Sequence, residues 1–424
     1  MLALLLIVFL LGILLRVPIA FALGLSCLAY LLVSGTPLVV IPMKVYSGID
    51  VFVLLSIPGF ITAGNLMNRG GLTEKIIAFC NHLVGHVRGG LALANIAASM
   101  VFAGISGTAI SDTASIGSVM IPAMKKEGYD ADFACAVTAS SSTVGPIIPP
   151  SVSMIIAATL TGLSVGKLFL AGAIPGFLLG FCLLAYTYYV SRRRGYPKHP
   201  RSSLRQIGRG FVDTFWALLL TFLILYGIIG GFFTPTEASI VAVLYALLVG
   251  VFVYKKLTLR RAMVVFLESM KTSAALMVLI GFANLFGYIL ITERLPQLVA
   301  DGILGFTDNP YVVLLLINLL LIFVGTFMET IAALLILFPI LLKVALTVGV
   351  DPIHFSVIAL LNLMIGLTTP PLGVCLFVAA GIGKVSIGEV SRAGLPFLLV
   401  SLAVLALVTL FPQLSLWLPE LLGG

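Results

Sequence analysis

The chain has 424 residues, of which 60% are hydrophobic and only 9% are charged, and its formal net charge is +8. A soluble domain carries about 25% charged residues, so this composition excludes a soluble protein and predicts a polytopic helical membrane protein. The apolar runs are near the length of a membrane-spanning helix and lack the alternation of outer-membrane barrel strands, which indicates an inner or plasma membrane. Much of the positive charge lies in two short segments, 191–210 and 255–261, as expected of cytoplasmic loops and not of a nucleic-acid-binding surface.

The N-terminal part is predicted to form three apolar helices and an amphipathic arm. The first helix ends at Arg16 and lacks the basic front end of a cleaved signal, so we expect it to be retained. The next two helices are predicted at 17–33 and 51–67. The stretch 73–86 is amphipathic and is predicted to lie at the membrane interface.

An interrupted apolar segment follows the arm. Arg88 and Lys125 bracket a stretch with a Gly/Ser-rich centre, which predicts two half-helices that form a re-entrant hairpin open to the cytoplasm. Residues 131–162 are predicted to cross outward as a helix that is broken at 144–151. The helix 166–190 then returns to the cytoplasm.

The second half of the chain is predicted to repeat this order on the opposite side of the membrane. Three helices come first, and the third of them places the next hairpin on the outside. A broken helix and a final helix complete the chain, with both termini predicted on the periplasmic side. The predicted elements are helices at 212–231, 237–254 and 262–291, a hairpin at 311–346, a broken helix at 353–382 and a last helix at 389–412.

The positive charges agree with this topology. With these crossings, 20 of the 24 Lys and Arg residues fall on the cytoplasmic side, as the positive-inside rule expects. The exceptions are Lys44, Lys167, Arg294 and Lys343.

The two hairpins and broken helices share a sequence pattern at a separation of about 221 residues. Two such copies with opposite topology are typical of a secondary transporter whose binding site lies between inverted repeats. The matching positions are Phe102 and Gly104 with Phe323 and Gly325, Asp112 with Glu329, Pro122 with Pro339, Gly145 with Gly366, and Pro149-Pro150 with Pro370-Pro371.

The centres of these copies are rich in Gly, Pro and hydroxyl residues. Non-helical backbone at membrane depth is tolerated only where it faces protein or a water-filled cavity. Its freed carbonyls, together with the hydroxyls at 104–115 and 140–151, are hard oxygen donors that can hold a small cation such as sodium. Alternatively, the small residues only allow close helix packing.

Asp112 and Glu329 occupy matching positions near the two hairpin tips. An acidic residue inside a membrane is a functional candidate by default. Each could bind a cation, carry a proton, or cap the half-helix that follows it.

Several ordered strings resemble the large membrane subunit of tripartite ATP-independent periplasmic (TRAP) transporters, the DctM type. They are FAGISGTAISDTASIGSVMIPAM (102–124), GPIIPPS (145–151), GTFMETIAALLILFPILL (325–342), DPIHF (351–355) and LNLMIGLTTPPLGVCLFVAAGI (361–382). The resemblance implies an all-α, inverted-repeat, elevator-type sodium symporter of the bacterial inner membrane and not an enzyme. It also implies two partners, a small four-helix membrane subunit and a soluble periplasmic protein that delivers an organic acid such as a dicarboxylate, a sialic acid or another sugar acid.

The family pattern also implies a division of the chain into a scaffold and a transport domain. The scaffold would comprise 1–87, including the interfacial arm, and 211–308. The transport repeats would be 88–190 and 309–412, with a cytoplasmic basic loop at 191–210 and a C-terminal tail at 413–424.

Carried over by position, the resemblance implies sites for sodium, with no other cofactor, and for substrate. One sodium site would use Ser106, Gly107, Thr143, Gly145, Pro149 and Pro150, and the other Gly325, Thr326, Gly366 and Thr369. Substrate would lie between the tips, near Thr108, Ser111, Asp112, Ser151 and Glu329.

Three positions depart from the family pattern, and three other functions compete with it. Lys343 stands where many relatives have Pro, Cys375 where they have Asn, and Asp112 where they have a small or apolar residue. A stand-alone carboxylate permease of the same architecture is the nearest alternative. A passive channel or an intramembrane enzyme using Asp112 and Glu329 belongs to other classes, and the sequence contains no P-loop, GxSxG or HExxH motif.

Overall fold

The computed structural model describes residues 1–15, 17–305 and 307–422, except for the side chains of 104–106, 300, 303 and 304. The described part of the chain is helical, with no strand, and contains a 3-10 turn at Phe52–Leu55 and a π-helical turn at Val249–Val253. Its α-helices are α1 (Leu2–Leu14), α2 (Ile19–Ser34), α3 (Val40–Ile49), α4 (Ser56–Arg69), α5 (Leu72–Val84), α6 (Gly90–Ser106), α7 (Ala109–Lys126), α8 (Ala131–Ser142), α9 (Val152–Thr161), α10 (Val165–Arg193), α11 (Leu204–Ile229), α12 (Pro235–Leu248), α13 (Leu259–Thr292), α14 (Leu295–Leu304), α15 (Pro310–Gly325), α16 (Thr330–Thr347), α17 (Pro352–Gly366), α18 (Val374–Gly383), α19 (Ile387–Leu410) and α20 (Gln413–Leu422).

Six helices in the described part of the chain are long and apolar enough to cross a membrane. They are α10, α11, α12 with its π-helical extension, α13, α16 and α19. A seventh span is possible if α3 and the segment Phe52–Arg69, which meet at an angle of 64°, are taken together. The all-helical membrane architecture predicted from the sequence is therefore confirmed.

The structure contains two helical hairpins and two interrupted helices, and the re-entrant character of the hairpins stays a prediction. The hairpin α6–α7 turns at Gly107 and Thr108, where Gly107 has a positive φ of +67° that favours glycine. The hairpin α15–α16 turns over residues 326–329. Each interrupted helix consists of two short helices, α8 with α9 and α17 with α18, joined by the non-helical stretches 143–151 and 367–373.

The two copies interlock. Helix α9 packs on α16 of the second hairpin, and α18 packs on α7 of the first. Each interrupted helix thus spends one half beside its own hairpin and the other half beside the hairpin of the other copy. This exchange brings both non-helical stretches toward the hairpin turns.

We call α6–α10 and α15–α20 the core group and α1–α5 with α11–α14 the outer group. Within the outer group, α4 packs on α12, α3 and α2 on α13, and α5 on α11. Within the core group, α19 packs on α8 and α10, and α20 packs on α10. The groups meet where α13 and α14 contact α16 and where α4 and α5 contact α6.

Four segments differ from the sequence prediction, one of them α14, which lies between the predicted helix 262–291 and the predicted hairpin 311–346. Helix α3 was not predicted. Its Pro42 is compatible with a helix because it lies in the first turn, where a missing N–H removes no helical hydrogen bond. Helix α11 begins at Leu204 instead of 212, because Ser203 and Gln206 form a capping box that starts the helix within the basic segment. The predicted C-terminal tail contains α20.

The segment between α10 and α11 is fastened to the turn between α7 and α8. Arg194 Nη1 and Tyr196 Oη each donate a hydrogen bond to Asp130 Oδ2, at 2.7 Å in both cases. These bonds, first from Tyr196 and then from Arg194, hold the pKa of the Asp130 carboxyl below its ordinary value. His199 Nε2 lies 2.9 Å from Glu127 Oε2, so a second contact joins the same two segments.

Candidate functional site

The first hairpin turn lies directly against the first non-helical stretch. A side chain on Gly107 would meet Val152 Cγ2 at 3.1 Å, which shows how closely the turn approaches the start of α9. A side chain on Gly145 would collide with Asp112 Oδ2. The structure therefore brings together Gly107, Asp112 and Gly145, three of the residues that the sequence assigned to the site.

The first non-helical stretch, 143–151, is completely buried and rich in oxygen atoms. The Thr143 hydroxyl donates to the Ser140 carbonyl at 2.7 Å. The Ser151 hydroxyl donates to the Pro146 carbonyl and accepts from Met154 N, so Ser151 caps α9. Since Pro146, Pro149 and Pro150 carry no N–H, carbonyl acceptors outnumber donors here.

The second hairpin turn touches the second non-helical stretch through two glycines. A side chain on Gly366 would lie 2.7 Å from the carbonyl carbon and Cα of Gly325, so α15 and α17 end with their backbones in contact. The Thr326 hydroxyl donates to the Phe323 carbonyl at 2.7 Å, and the Thr369 hydroxyl donates to the Ile365 carbonyl at 2.9 Å. Both hydroxyl oxygens keep lone pairs that can accept a cation.

The two turn regions differ in exposure. All of 143–151 is buried, whereas Pro371 and Leu372 in the second stretch are exposed. Beside the second turn, Phe323 is 65% exposed and Phe327 is 48% exposed. The second region is therefore the less buried of the two.

The two matching acids have different structural roles. Glu329 is the N-cap of α16, and its Oε2 accepts hydrogen bonds from Ile331 N at 2.9 Å and Ala332 N at 3.2 Å. Asp112 lies in the first turn of α7, where Thr108 is the N-cap, and its carboxylate Oδ2 lies against Gly145. Capping therefore describes Glu329, while Asp112 faces the first non-helical stretch.

The remaining predicted residues are distributed as follows. Ser106 is the last residue of α6, and its side chain lies outside the described part of the structure. Thr108 and Ser111 are half-buried at the first turn. The Cys375 thiol, at the start of α18, lies beside the Thr113 hydroxyl, so the second copy also contributes to the surroundings of the first turn.

Sequence reasoning missed the polar pairs that brace the hairpins. In the first copy, Asn95 Nδ2 donates to Thr138 Oγ1 at 2.7 Å, and Ser99 Oγ donates to Ser141 Oγ at 2.9 Å. In the second copy, Asn362 Nδ2 donates to Asn318 Oδ1 at 2.7 Å. These pairs join each hairpin to the first half of its own interrupted helix, and the signal in the sequence was an isolated amide in an apolar helix.

The arrangement gives two clusters of backbone and hydroxyl oxygens, each located where a hairpin turn meets an interrupted helix; we call them the first and second oxygen clusters. Oxygen donors of this kind suit small hard cations. The first oxygen cluster also contains the Asp112 carboxylate. The second consists of neutral oxygen atoms, apart from the nearby carboxylate of Glu329, which accepts the hydrogen bonds of the helix cap.

Comparisons with known proteins agree with this architecture. The sequence model of the tripartite ATP-independent periplasmic transporter, DctM component, matches residues 6–414. The chain is 44% identical over 408 residues to the sialic acid TRAP transporter large permease protein SiaM of Vibrio cholerae, covering 96% of each protein. It is 42% identical over 403 residues to the C4-dicarboxylate TRAP transporter large permease protein DctM of Pseudomonas aeruginosa, covering 95% of this chain and 94% of that relative.

A third relative is longer than this chain. The chain is 39% identical over 407 residues to the sialic acid TRAP transporter permease protein SiaT of Haemophilus influenzae, covering 96% of this chain but 66% of SiaT. Among solved structures, the YdaH transporter of Alcanivorax borkumensis superposes with a TM-score of 0.62 at 16% identity, covering 90% of this chain and 87% of YdaH. That likeness supports the fold.

One family accounts for the interlocked repeats, the paired hairpins and breaks, and the match over nearly the whole chain. Its large subunits are inner-membrane permeases and not enzymes. They work with a small membrane subunit and a periplasmic binding protein. The chain belongs to the DctM family, the large permease subunits of tripartite ATP-independent periplasmic transporters.

Proposed function

We propose that this chain is the large subunit of a sodium-coupled importer of an organic acid that works by an elevator movement. The observation that carries the proposal is the pairing of each hairpin turn with a non-helical stretch, at Asp112 with Gly145 and at Gly325 with Gly366. Such pairs supply oxygen donors from two elements that can move together. In this proposal the core group is the transport domain and the outer group is the scaffold.

The two oxygen clusters are the proposed sodium sites. The first uses backbone and hydroxyl oxygens of the turn at 106–107 and of 143–150. The second uses oxygens of Gly325, Thr326, Gly366 and Thr369. Support comes from the burial of Thr143 and Thr326 and from their free lone pairs, because a cation that loses its water needs replacement oxygens close at hand.

The substrate is proposed to be a carboxylate-bearing solute bound between the two hairpin turns. Relatives are named for sialic acid and for C4-dicarboxylates, and both classes carry a carboxylate. Thr108, Ser111 and Asp112 line the first turn, and Glu329 lies at the second. Because the Asp112 carboxylate would attract sodium and repel a substrate carboxylate, we expect Asp112 to contribute to sodium binding. We expect neutral hydrogen-bond donors to hold the substrate carboxylate.

The partners are proposed to be separate proteins. The 66% coverage of SiaT fits a relative in which further sequence is joined to the large subunit. We propose that a small four-helix subunit packs against the outer group and that a periplasmic binding protein docks on the face that carries both termini of the chain.

The test is uptake into proteoliposomes under an imposed sodium gradient. Labelled sialic acid and labelled succinate are supplied to liposomes that hold this chain, with the small subunit and binding protein each added or omitted. Accumulation that requires sodium and the binding protein is the expected result. Accumulation by this chain alone would instead establish the stand-alone permease, and equilibration without accumulation would establish a channel.

A further inference from the structure

A cleft with a volume of about 440 Å³ separates the two helix groups on one face of the protein. One wall comes from the outer group, from α3 and α13, and the other from the core group, from α9 and α16. The outer wall is polar, with Lys44, Ser47, Asn284 and Tyr288. The core wall is mostly apolar, so the cleft pairs a single cationic side chain with low-polarity surroundings.

Lys44 is held in place but is not neutralised. Its backbone carbonyl accepts a hydrogen bond from Asn284 Nδ2 at 2.7 Å, which ties α3 to α13. Its ammonium lies 4.2 Å from the centroid of the Tyr288 ring. Among the side chains that the structure describes, no carboxylate lies within ion-pair distance of Lys44.

The position of Lys44 along the chain is also unusual. It is one of four Lys and Arg residues that the charge distribution leaves on the outer side, where the positive-inside rule does not require a cation. A half-buried ammonium in a cleft with apolar walls focuses its field into that cleft and raises the local concentration of anions.

The cleft and the first hairpin turn share helix α9. Ile156 and Thr159 of α9 line the cleft, and Val152 of the same helix contacts Gly107 at the turn. At about 1.5 Å per residue, Val152 and Ile156 are about 6 Å apart along the helix axis. One helix therefore borders both the cleft and the proposed substrate site.

We propose that this cleft is the outward access vestibule for an organic anion and that the Lys44 ammonium attracts the carboxylate there. The inference rests on the proposed function for the identity of the ligand. The Tyr288 side chain lines the cleft with a hydroxyl that can donate to an anion that enters, whereas the Ser47 hydroxyl and the Asn284 amide already donate to the Lys44 carbonyl. Lys44 is a specificity-determining residue in this scheme, because its positive charge in the cleft favours solutes that carry a carboxylate.

The first test reads the electrostatics of the cleft without transport. Ser47 is exposed in the cleft, so Ser47→Cys introduces a thiol one turn from Lys44. Its rates of modification by an anionic sulfonate methanethiosulfonate and by a cationic trimethylammonium analogue are compared in the purified protein. The protein without Ser47→Cys corrects for the native cysteines, of which Cys182 is half-buried.

We expect the ratio of the anionic to the cationic rate to fall about tenfold when Lys44→Gln is added and to be retained with Lys44→Arg. A ratio that Lys44→Gln leaves unchanged would overturn the vestibule. Protection is measured with succinate, with sialic acid and, separately, with phosphatidylglycerol vesicles. Protection by either acid supports the proposal, and protection by the lipid alone would overturn it in favour of a lipid headgroup site.

The second test uses transport by the complete complex. Lys44→Gln is expected to raise KM for the labelled acid about tenfold with little change in kcat, because it removes a steering charge and leaves the proposed substrate site intact. Lys167→Gln is the matched control, since Lys167 is exposed on the same predicted side but does not line the cleft. Equal KM values for the two variants would overturn the vestibule, while sodium-dependent uptake by both would leave the proposed function standing.

Discussion

At the scale of single residues, the site depends on glycines whose neighbours leave no room for a side chain. Gly145 faces Asp112, and Gly366 faces the backbone of Gly325. The second contact is backbone against backbone, which cannot be relieved by rotating a flexible side chain. Gly366 should therefore tolerate a side chain less well than Gly145.

Gly366→Ala is expected to separate α15 from α17 and to cost about 1 to 3 kcal/mol, as overpacking in a dense core does. The half-saturating sodium concentration for uptake should rise, because the second proposed sodium site loses its geometry. Thermal unfolding and sodium-dependent uptake measure these effects. Gly381→Ala is the control, since Gly381 has nothing within 4 Å of an added methyl group; equal behaviour of the two variants would contradict the prediction.

Thr369 tests the sodium assignment more directly. Thr369→Val keeps the shape of the side chain and removes its oxygen, so we expect a higher half-saturating sodium concentration with little change in stability. Thr221→Val, on α11 of the outer group, removes a similar hydroxyl that donates to Ala217. Uptake measured against sodium concentration should shift only for Thr369→Val, and an unshifted curve would remove Thr369 from the site.

At the scale of helices, contacts between neighbouring segments decide which parts move together. Asp130, Arg194 and Tyr196 join the turn after α7 to the segment that leads into α11. On the same predicted cytoplasmic side, Asn68 Nδ2 of α4 donates to Ser115 Oγ of α7 at 2.6 Å. The Asp130 contact holds the segment that connects α10 of the core group to α11 of the outer group. The Asn68–Ser115 contact joins α4 of the outer group to α7 of the core group.

The Asp130 contact should depend on pH in the acid range. Because the pKa of Asp130 is lowered on folding, the contact stabilises the folded segment above the ordinary carboxyl pKa, and this contribution is lost as the pH falls through the lowered value. The protection factors of the amides of residues 194–203, which correct for the intrinsic pH dependence of exchange, should fall on acidification, and Tyr196→Phe should lower them already at pH 7. Arg193→Gln, whose guanidinium lies over Tyr189, should leave the exchange of 194–203 unchanged at pH 7.

At the scale of the whole molecule, the proposed elevator requires the core group to move relative to the outer group. The Asn68–Ser115 contact crosses between the groups, whereas Asn318 and Thr409, which are hydrogen-bonded at 3.1 Å, both belong to the core group. The two pairs therefore distinguish movement between groups from movement within one group.

An oxidised cysteine pair at Asn68→Cys and Ser115→Cys should abolish uptake, and reduction should restore it. The pair Asn318→Cys and Thr409→Cys should leave most uptake intact when oxidised, because it links helices that move as one body. Initial uptake rates before and after reduction give the comparison. Full transport through the cross-linked Asn68–Ser115 pair would exclude relative movement at this contact.

The sequence by itself determined the class of protein, the interruption of its apolar helices, and the family. These features follow from local chemistry, since apolar runs form spanning helices while glycine and proline interrupt them within a few residues. The repeat pattern could be recognised because both copies keep the same order of Gly, Pro and acidic residues. The ends of α8 and α9 and the outer ends of α6 and α7 agree with the predicted bounds to within two residues, whereas the start of α7 lies inside the predicted interruption at 104–115.

The tertiary structure alone decided how the two copies interlock and which polar atoms meet. The pairing of α9 with α16 and of α18 with α7 joins residues far apart in sequence, so no local pattern carries it. The different roles of Asp112 and Glu329 arise because the N-cap of α7 lies four residues before Asp112, whereas Glu329 is itself the N-cap of α16. The cleft beside Lys44 likewise exists only between two separately folded groups, and a lone lysine in the sequence does not show which helix it will face.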